Sequence, residues 1–216
     1  MKQFIQPKLI YEPENKANFC FIWLHGLGAN GHDLVPILDL LDFKSKSSVR
    51  SIFPNAPIRP ISINGGSMMH AWYDIKKEDL SEDIDLTGID ESTNFINQLI
   101  SAQQNDGISV DKIFLIGFSQ GGVIALDCAL KMDSKLRGVV CLSSYLAKKT
   151  GLCSGLDIYL AHGENDPIIP LSVAEDTKNQ LLQLNARVTW KTFPMAHAIC
   201  KEEVESLSEW LEEKMR

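Results

Sequence analysis

Serine, aspartate and histidine, met in that order along the chain, are the side chains whose settings could do chemistry together. Ser119 stands in Gly117-Phe118-Ser119-Gln120-Gly121, after an apolar run at 112–116 and before a segment, 121–132, that is apolar nearly all round. A G-x-S-x-G between strand and helix predicts a nucleophile elbow. The turn is so tight that small residues must flank the serine, which projects from the C-terminal edge of a sheet at the positive end of a helix. The plainer alternative is a helix N-cap serine in a glycine-rich turn. A serine hydroxyl is a weak nucleophile until a base removes its proton, so an elbow calls for an acid and then a histidine downstream. Asp166 follows the apolar run 157–161 in His162-Gly163-Glu164-Asn165-Asp166-Pro167, and His197 follows 187–193 in Phe193-Pro194-Met195-Ala196-His197. Loops at the C-terminal ends of parallel strands gather at one sheet edge, so the three can meet in space. Asp166-Pro167 could instead be a simple turn pair, and Glu164 competes for the acid role. Of the five histidines, His25, His32 and His70 precede the serine, and His162 lies too close to the acid. His197 alone follows both partners.

The stretch Leu24-His25-Gly26-Leu27-Gly28-Ala29-Asn30-Gly31 follows another apolar run, 19–24. Its Gly26-x-Gly28-x-x-Gly31 matches a dinucleotide-binding fingerprint. That reading needs an acidic residue about 20 positions on, where this chain has Phe53-Pro54-Asn55, and Pro36 delays the helix that should follow. The glycines are better explained as letting backbone fold close to the serine, with the Leu27 N–H aimed at a substrate oxygen. Together with the Gln120 N–H it would form an oxyanion hole.

These residues need a scaffold. Apolar runs at 19–24, 49–53, 112–116, 138–142, 157–161 and 187–193 are mostly continuous, as in strands covered on both faces. Between several of them lie helical stripes: Ile89, Ile96, Leu99 and Ile100, stopped by Gly107; Val173, Thr177, Leu181 and Leu184; Val204, Leu207 and Leu211. The alternation predicts a mostly parallel central sheet with helices on both faces. Without repeat or linker, residues 1–216 are expected to form a single domain. Segment 54–86, with three prolines, two adjacent glycines and two methionines, reads as a long excursion over the sheet's edge. Its Ile61, Ile63, Met68, Met69 and Trp72 are candidates for the wall of an acyl-binding slot, since methionine adapts to varied chain shapes; the alternative is that they only cover the sheet.

Composition narrows the rest. Hydrophobic residues are 44% and charged residues 23%, which argues against disorder. A net charge of −7, without a basic run, is poorly suited to nucleic acid or to anionic membranes. Five cysteines without a CxxC pair read as free, mostly buried thiols, so a cytoplasmic setting is expected. No signal-peptide pattern, membrane-length apolar stretch, metal-ligand motif or Walker pattern appears, and no metal or other cofactor is expected. Glu202-Glu203 and Glu212-Glu213 are expected on a solvated helix face.

The blocks Leu24-His25-Gly26-Leu27-Gly28, Phe53-Pro54-Asn55-Ala56-Pro57, Ala71-Trp72-Tyr73-Asp74, Gly117-Phe118-Ser119-Gln120-Gly121-Gly122, His162-Gly163-x-x-Asp166-Pro167 and Met195-x-His197 occur in one order over nearly the whole chain. In this the sequence resembles the phospholipase/carboxylesterase family, which includes the acyl-protein thioesterases. The resemblance implies an α/β-hydrolase fold without a large cap domain. It implies a catalytic Ser119, Asp166 and His197, an oxyanion hole at Leu27 and Gln120, and hydrolysis of carboxylic esters and of acyl chains on thiols, glycerol or lysophospholipids. The chain departs from the family's usual pattern at Pro194, where glycine is frequent, and at Ser143-Ser144, where Ser-Gly is frequent. A serine hydrolase working through an acyl-Ser119 intermediate is therefore expected. A catalytically silent acyl-ligand-binding or regulatory protein on the same fold is the alternative, and acyl transfer to an acceptor other than water stays open. The exposed apolar excursion would also suit transient membrane contact or pairing of two copies.

Overall fold

Six apolar runs become the parallel strands of one sheet in the computed structural model, which describes residues 8–78, 80, 82–148, 151 and 154–216. They are β2 (Phe19–Leu24), β3 (Val49–Pro54), β6 (Ile113–Phe118), β7 (Gly138–Leu142), β8 (Asp157–Gly163) and β9 (Arg187–Phe193). A seventh strand, β1 (Lys8–Tyr11), pairs antiparallel with β3, and the order across the sheet is β1-β3-β2-β6-β7-β8-β9. β1 escapes a sequence reading because it is short and leaves Ile10 and Tyr11 exposed. The chain winds outward in both directions from β2 and β6, so the crevice at their C-terminal ends is the topological switch point.

Five α-helices cover the sheet: α1 (Val35–Leu40), α2 (Leu86–Asn105), α3 (Gln120–Lys131), α4 (Leu171–Gln183) and α5 (Lys201–Lys214). α2, α3 and α4 bury Ile89, Ile96, Ile124, Leu126 and Leu181 against one face; α1 and α5 bury Leu38, Val204, Leu207 and Leu211 against the other. In α3 every residue but the last is buried, as its all-round apolar character predicts. α1 forms despite Pro36, which sits in its first turn where the missing N–H has no intrahelical role.

Three expectations need correction. β9 has no fully buried residue, because it is the outer strand and its outward side faces solvent. Glu203 does not share a solvated face with Glu202. It turns inward from α5 and is fully buried, since the stripe that buries Val204 and Leu207 carries it along. The excursion contains a hairpin, β4 (Ile58–Ile61) with β5 (Ser67–His70), turned through Gly65 and Gly66 at φ 63° and 80°. It lies over the C-terminal ends of β2 and β6, where the Gly28 N–H donates to His70 O at 2.8 Å.

Of the cysteines, Cys20, Cys128 and Cys141 are buried with free thiols and Cys200 is half-buried; Cys153 lies outside the described residues. Burial pushes the thiols of Cys20 and Cys128 up to about 12. Among the described residues, no helix is long and apolar enough to cross a membrane, and no three His, Cys, Asp or Glu side chains are arranged to hold a metal ion.

Candidate active site

Ser119 joins β6 to α3 with φ 52° and ψ −120°, a left-handed setting that costs a side chain about 1–3 kcal/mol. Three hydrogen bonds hold it there. Its N–H donates to Leu142 O at 2.9 Å, and its carbonyl accepts from the Gly122 N–H at 3.0 Å and from Ser144 Oγ at 2.8 Å. A Cβ at Gly117 would strike the backbone of Gly121 and Gly122, and one at Gly121 would strike the carbonyls of Leu24 and His25. The glycines of the motif are thus required by close backbone approach.

Asp166 and His197 arrive on the loops after β8 and β9. His197 Nδ1 donates to Asp166 Oδ2 at 2.7 Å, and Ser119 Oγ lies 2.9 Å from His197 Nε2. A carboxylate can only accept, so it fixes the proton on Nδ1 and leaves the Nε2 lone pair for the serine hydroxyl. The Asp166 side chain is fully buried. Its Oδ1 accepts from the N–H groups of Ile168 and Ile169 at 2.8 and 2.9 Å. Beyond the sheet proper, the two loops stay zipped together: Glu164 N–H donates to Phe193 O at 2.8 Å and Asn165 N–H to Met195 O at 3.0 Å. Gly163 is bare where a Cβ would meet the carbonyls of Met195 and Ala196. Glu164 is exposed and bonds Thr192, so it stands apart from His197. Pro194 is exposed within this loop.

His162, set aside by chain order as a base, proves to be a buried neighbour of the acid. Its Nε2 donates to Ile169 O at 2.8 Å and lies 3.4 Å from Asp166 Oδ2. Desolvation lowers its pKa, which keeps it neutral. The signal for it was the four-residue spacing to Asp166.

On the other side of the serine, the 25–31 loop is built from polar ties. His25 is fully buried, donates from Nδ1 to Gly26 O at 2.8 Å, and accepts the Ala56 N–H on Nε2 at 3.0 Å. Burial drops its pKa to about 4. The Gly31 N–H donates to Asn55 Oδ1 at 2.7 Å, which uses that amide within the protein and explains Asn55 where a dinucleotide site would carry an acid. Gly28 takes φ 75°. Leu27 is half-buried between these anchors. Gln120 opens α3, so its N–H is one of the amides a helix start leaves without an intrahelical partner.

The five residues expected to line an acyl slot are scattered, and Ile61 is fully buried in the core. Trp72 is fully buried and donates its indole N–H to His25 O at 2.8 Å. Ile63 and Met68 face solvent, and Met69 is half-buried with its sulfur beside Gly28. A cleft of about 680 Å³ lies elsewhere, lined by Leu80, Ile84, Tyr145, Leu146, Ile168 and Val173 among others. Two of its lining residues adjoin the supports of Ser119 and Asp166 along the chain: Tyr145 follows Ser144, and Ile168 donates its N–H to Asp166. No single segment carries an apolar run for this cleft, so the sequence gives no warning of it.

A mostly parallel sheet with a strained serine after its central strand, and an acid and a histidine after the two outermost strands on one side, defines an α/β-hydrolase. The chain belongs to the phospholipase/carboxylesterase family, whose model matches residues 6–215. It is 31% identical to acyl-protein thioesterase 1 of Cryptococcus neoformans over 228 residues, covering 94% of this chain and 95% of that one. Its fold is similar to the crystal structure of Zea mays acyl-protein thioesterase 2, with TM-score 0.82, 26% identity and coverage of 98% and 100% of the two chains. Arabidopsis thaliana SOBER1 gives TM-score 0.87 at 23% identity, over 93% of this chain and all of that one. Family and relatives place the chain among hydrolases of the ester and thioester class.

Proposed function

We propose that the protein is a serine hydrolase that removes acyl chains from esters or thioesters through an acyl-Ser119 intermediate, on one domain. The observation that carries this is the continuous line from Asp166 through His197 to Ser119, at 2.7 and 2.9 Å, with the serine held in a strained turn. Ser119 Oγ attacks the acyl carbonyl as His197 Nε2 takes its proton. Asp166 keeps the imidazole in the required tautomer and stabilises its cationic form. The N–H groups of Leu27 and Gln120 receive the oxyanion, in a site where preorganised donors need no rearrangement as charge develops. The same proton then passes to the departing alcohol or thiol. Water, deprotonated by His197, releases the acid from Ser119.

The cleft lined by Tyr145, Leu146, Ile168 and Val173 is the site we assign to the acyl chain, because Tyr145 and Ile168 adjoin Ser144 and the Asp166 turn in the chain. Each buried CH₂ contributes about 0.8 kcal/mol, so a chain of eight carbons would gain several kcal/mol there. Met69, beside Gly28, remains at the mouth of the site, while Ile58, Ile63 and Met68 on the hairpin offer apolar contact to a lipid surface. The acyl-protein thioesterases among the relatives favour an acylated protein as substrate, and the buried free thiols favour the cytoplasm. Ser119→Ala tests the reading. Ester and thioester turnover is expected to fall about 10⁶-fold, and labelling by a fluorophosphonate is expected to vanish. Undiminished turnover would remove the serine from its role and leave a binding protein on the same fold.

A further inference from the structure

The oxyanion hole assigned above takes one amide from the elbow and one from a loop that follows a different strand. Nothing in the chain's order ties the two together. The tie runs through a short strap, residues 70–73, at the end of the excursion. Trp72 N–H donates to Gln120 Oε1 at 2.8 Å, and Gln120 Nε2 donates to Tyr73 O at 2.7 Å. The side-chain amide of Gln120 thus pairs with the strap as a neighbouring peptide group would. The N–H and C=O it meets fix which end is oxygen and which is nitrogen. Along the same strap, the Trp72 indole N–H donates to His25 O, and His70 O accepts from the Gly28 N–H, both at 2.8 Å. His25 and Gly28 flank Leu27 on both sides. Ser92 Oγ donates to the Trp72 carbonyl. Gln120 and Trp72 are both buried, so water does not compete for these bonds.

We propose that Gln120 serves twice: its backbone N–H is one donor of the hole, and its side chain is the positioning group that holds the other donor, Leu27 N–H, at the right separation. The ring of contacts runs from Gln120 through the strap to the Leu27 loop and ends at the serine the elbow presents. Placement of donors to a fraction of an ångström decides how much a developing oxyanion is stabilised. Only the charged tetrahedral species senses that placement strongly. Loss of the clasp therefore weakens the transition state and spares substrate binding. The proposal rests on the hydrolase reading, and its test is arranged so that the two can fail separately.

The experiment compares wild type, Gln120→Ala, Gln120→Glu and Trp72→Phe. Gln120→Ala keeps the backbone N–H and removes the clasp. Gln120→Glu keeps an acceptor for Trp72 N–H but, once ionised, cannot donate to Tyr73 O. Trp72→Phe leaves Gln120 intact and, of the strap's hydrogen bonds, removes only the one to His25 O. In Gln120→Ala, kcat on an acyl thioester is expected to fall about 10- to 100-fold with KM within about twofold. Inhibition by an alkyl boronic acid, whose adduct with Ser119 is tetrahedral, is expected to weaken by the same factor as kcat/KM. The pH at which kcat is half-maximal is expected to stay where it is, because the base is untouched. Gln120→Glu should show a comparable pattern and Trp72→Phe a several-fold version of it. A wild-type kcat, a loss carried by KM alone, or a loss of kcat without weaker boronate inhibition would overturn the proposal. If Gln120→Ala cannot be obtained folded, Trp72→Phe decides alone: turnover equal to wild type overturns the clasp. A Ser119→Ala control that still turns over sinks the hydrolase reading; a silent Ser119→Ala beside an unimpaired Gln120→Ala sinks only the clasp.

Discussion

The rim around Ser119 and the core beneath α5 treat buried polar groups in opposite ways. At the rim, the buried side chains of Asp166, His25, Gln120, Trp72 and the Tyr73–Tyr145 hydroxyl pair each have hydrogen-bond partners, the last at 2.9 Å. Ser143 Oγ and His162 Nδ1 are exceptions there. Beneath α5, Trp210 Nε1 has no hydrogen-bond partner among the described residues, while Tyr159 Oη and the Glu203 carboxyl meet only loose ones, Ser206 and the Cys200 backbone. Aromatic rings fill that core instead, Trp210 packing against Phe114 and Tyr159 with centroids 6.0 and 5.7 Å apart. Hydrogen bonds have direction and apolar packing has little. The polar ties are spent where angles between loops matter, and shape alone suffices where only burial is needed.

The comparison can be broken most forcefully at Asp166. Asp166→Asn keeps the shape of the rim but lets the imidazole hold its proton on the wrong nitrogen. A drop in kcat of about 10⁴-fold is expected, with the melting temperature changed far less; a drop below tenfold would show that rim geometry does not depend on this carboxylate.

The core beneath α5 is sharpened by pH. Burial raises the Glu203 pKa to about 8 from its ordinary 4.5. Between those values the folded protein binds more protons than the unfolded chain, so stability falls as pH rises, by up to about 1.4 kcal/mol per unit. Glu203→Gln is expected to flatten that fall, measured as urea midpoints from pH 5 to 9. An unchanged slope would mean the carboxyl finds a donor after all.

His25 at the rim gives the opposite sign. Burial holds its folded pKa near 4, below the ordinary 6.5, so the unfolded chain binds the extra proton and stability is lost as pH falls through that window. His25→Gln is expected to flatten the acid limb and leave the alkaline limb unaltered. Equal effects on both limbs would erase the contrast between the two regions.

The smallest effect is expected at Ser144, whose hydroxyl supports the strained serine from outside the elbow. Ser144→Ala removes one hydrogen bond of about 1 kcal/mol, so kcat should fall a few-fold. A loss above a hundredfold would make this bond as important as those within the elbow.

The meeting of Ser119, Asp166 and His197, the proposed triad, was legible because each sits in a short local pattern: glycines around Ser119, a His-Gly and a Pro around Asp166, and a unique place in chain order for His197. Strands β2, β7 and β9 were legible in full because their apolar runs have clear ends. What stayed hidden depends on contacts between distant segments. The cleft draws a few residues each from three loops and from α4. Glu203 has the composition of a surface helix and turns inward only because the neighbouring turn of α5 must pack. Ile63, Met68, Met69 and Trp72 fall close together in the sequence, yet a hairpin sends them in different directions, and only the paired backbone decides which are covered.

The ladder between β8 and β9 does not stop at the sheet: it runs on through Glu164 and Asn165 into the loop of His197. Acid and base are therefore fastened to each other more firmly than either is to the serine. Their loops follow the last two strands at one margin of the sheet, and the outer of these, β9, has no fully buried residue. Warming is expected to peel that margin away first, as one cassette, so heat should switch the protein off before it melts and cooling should switch it back on.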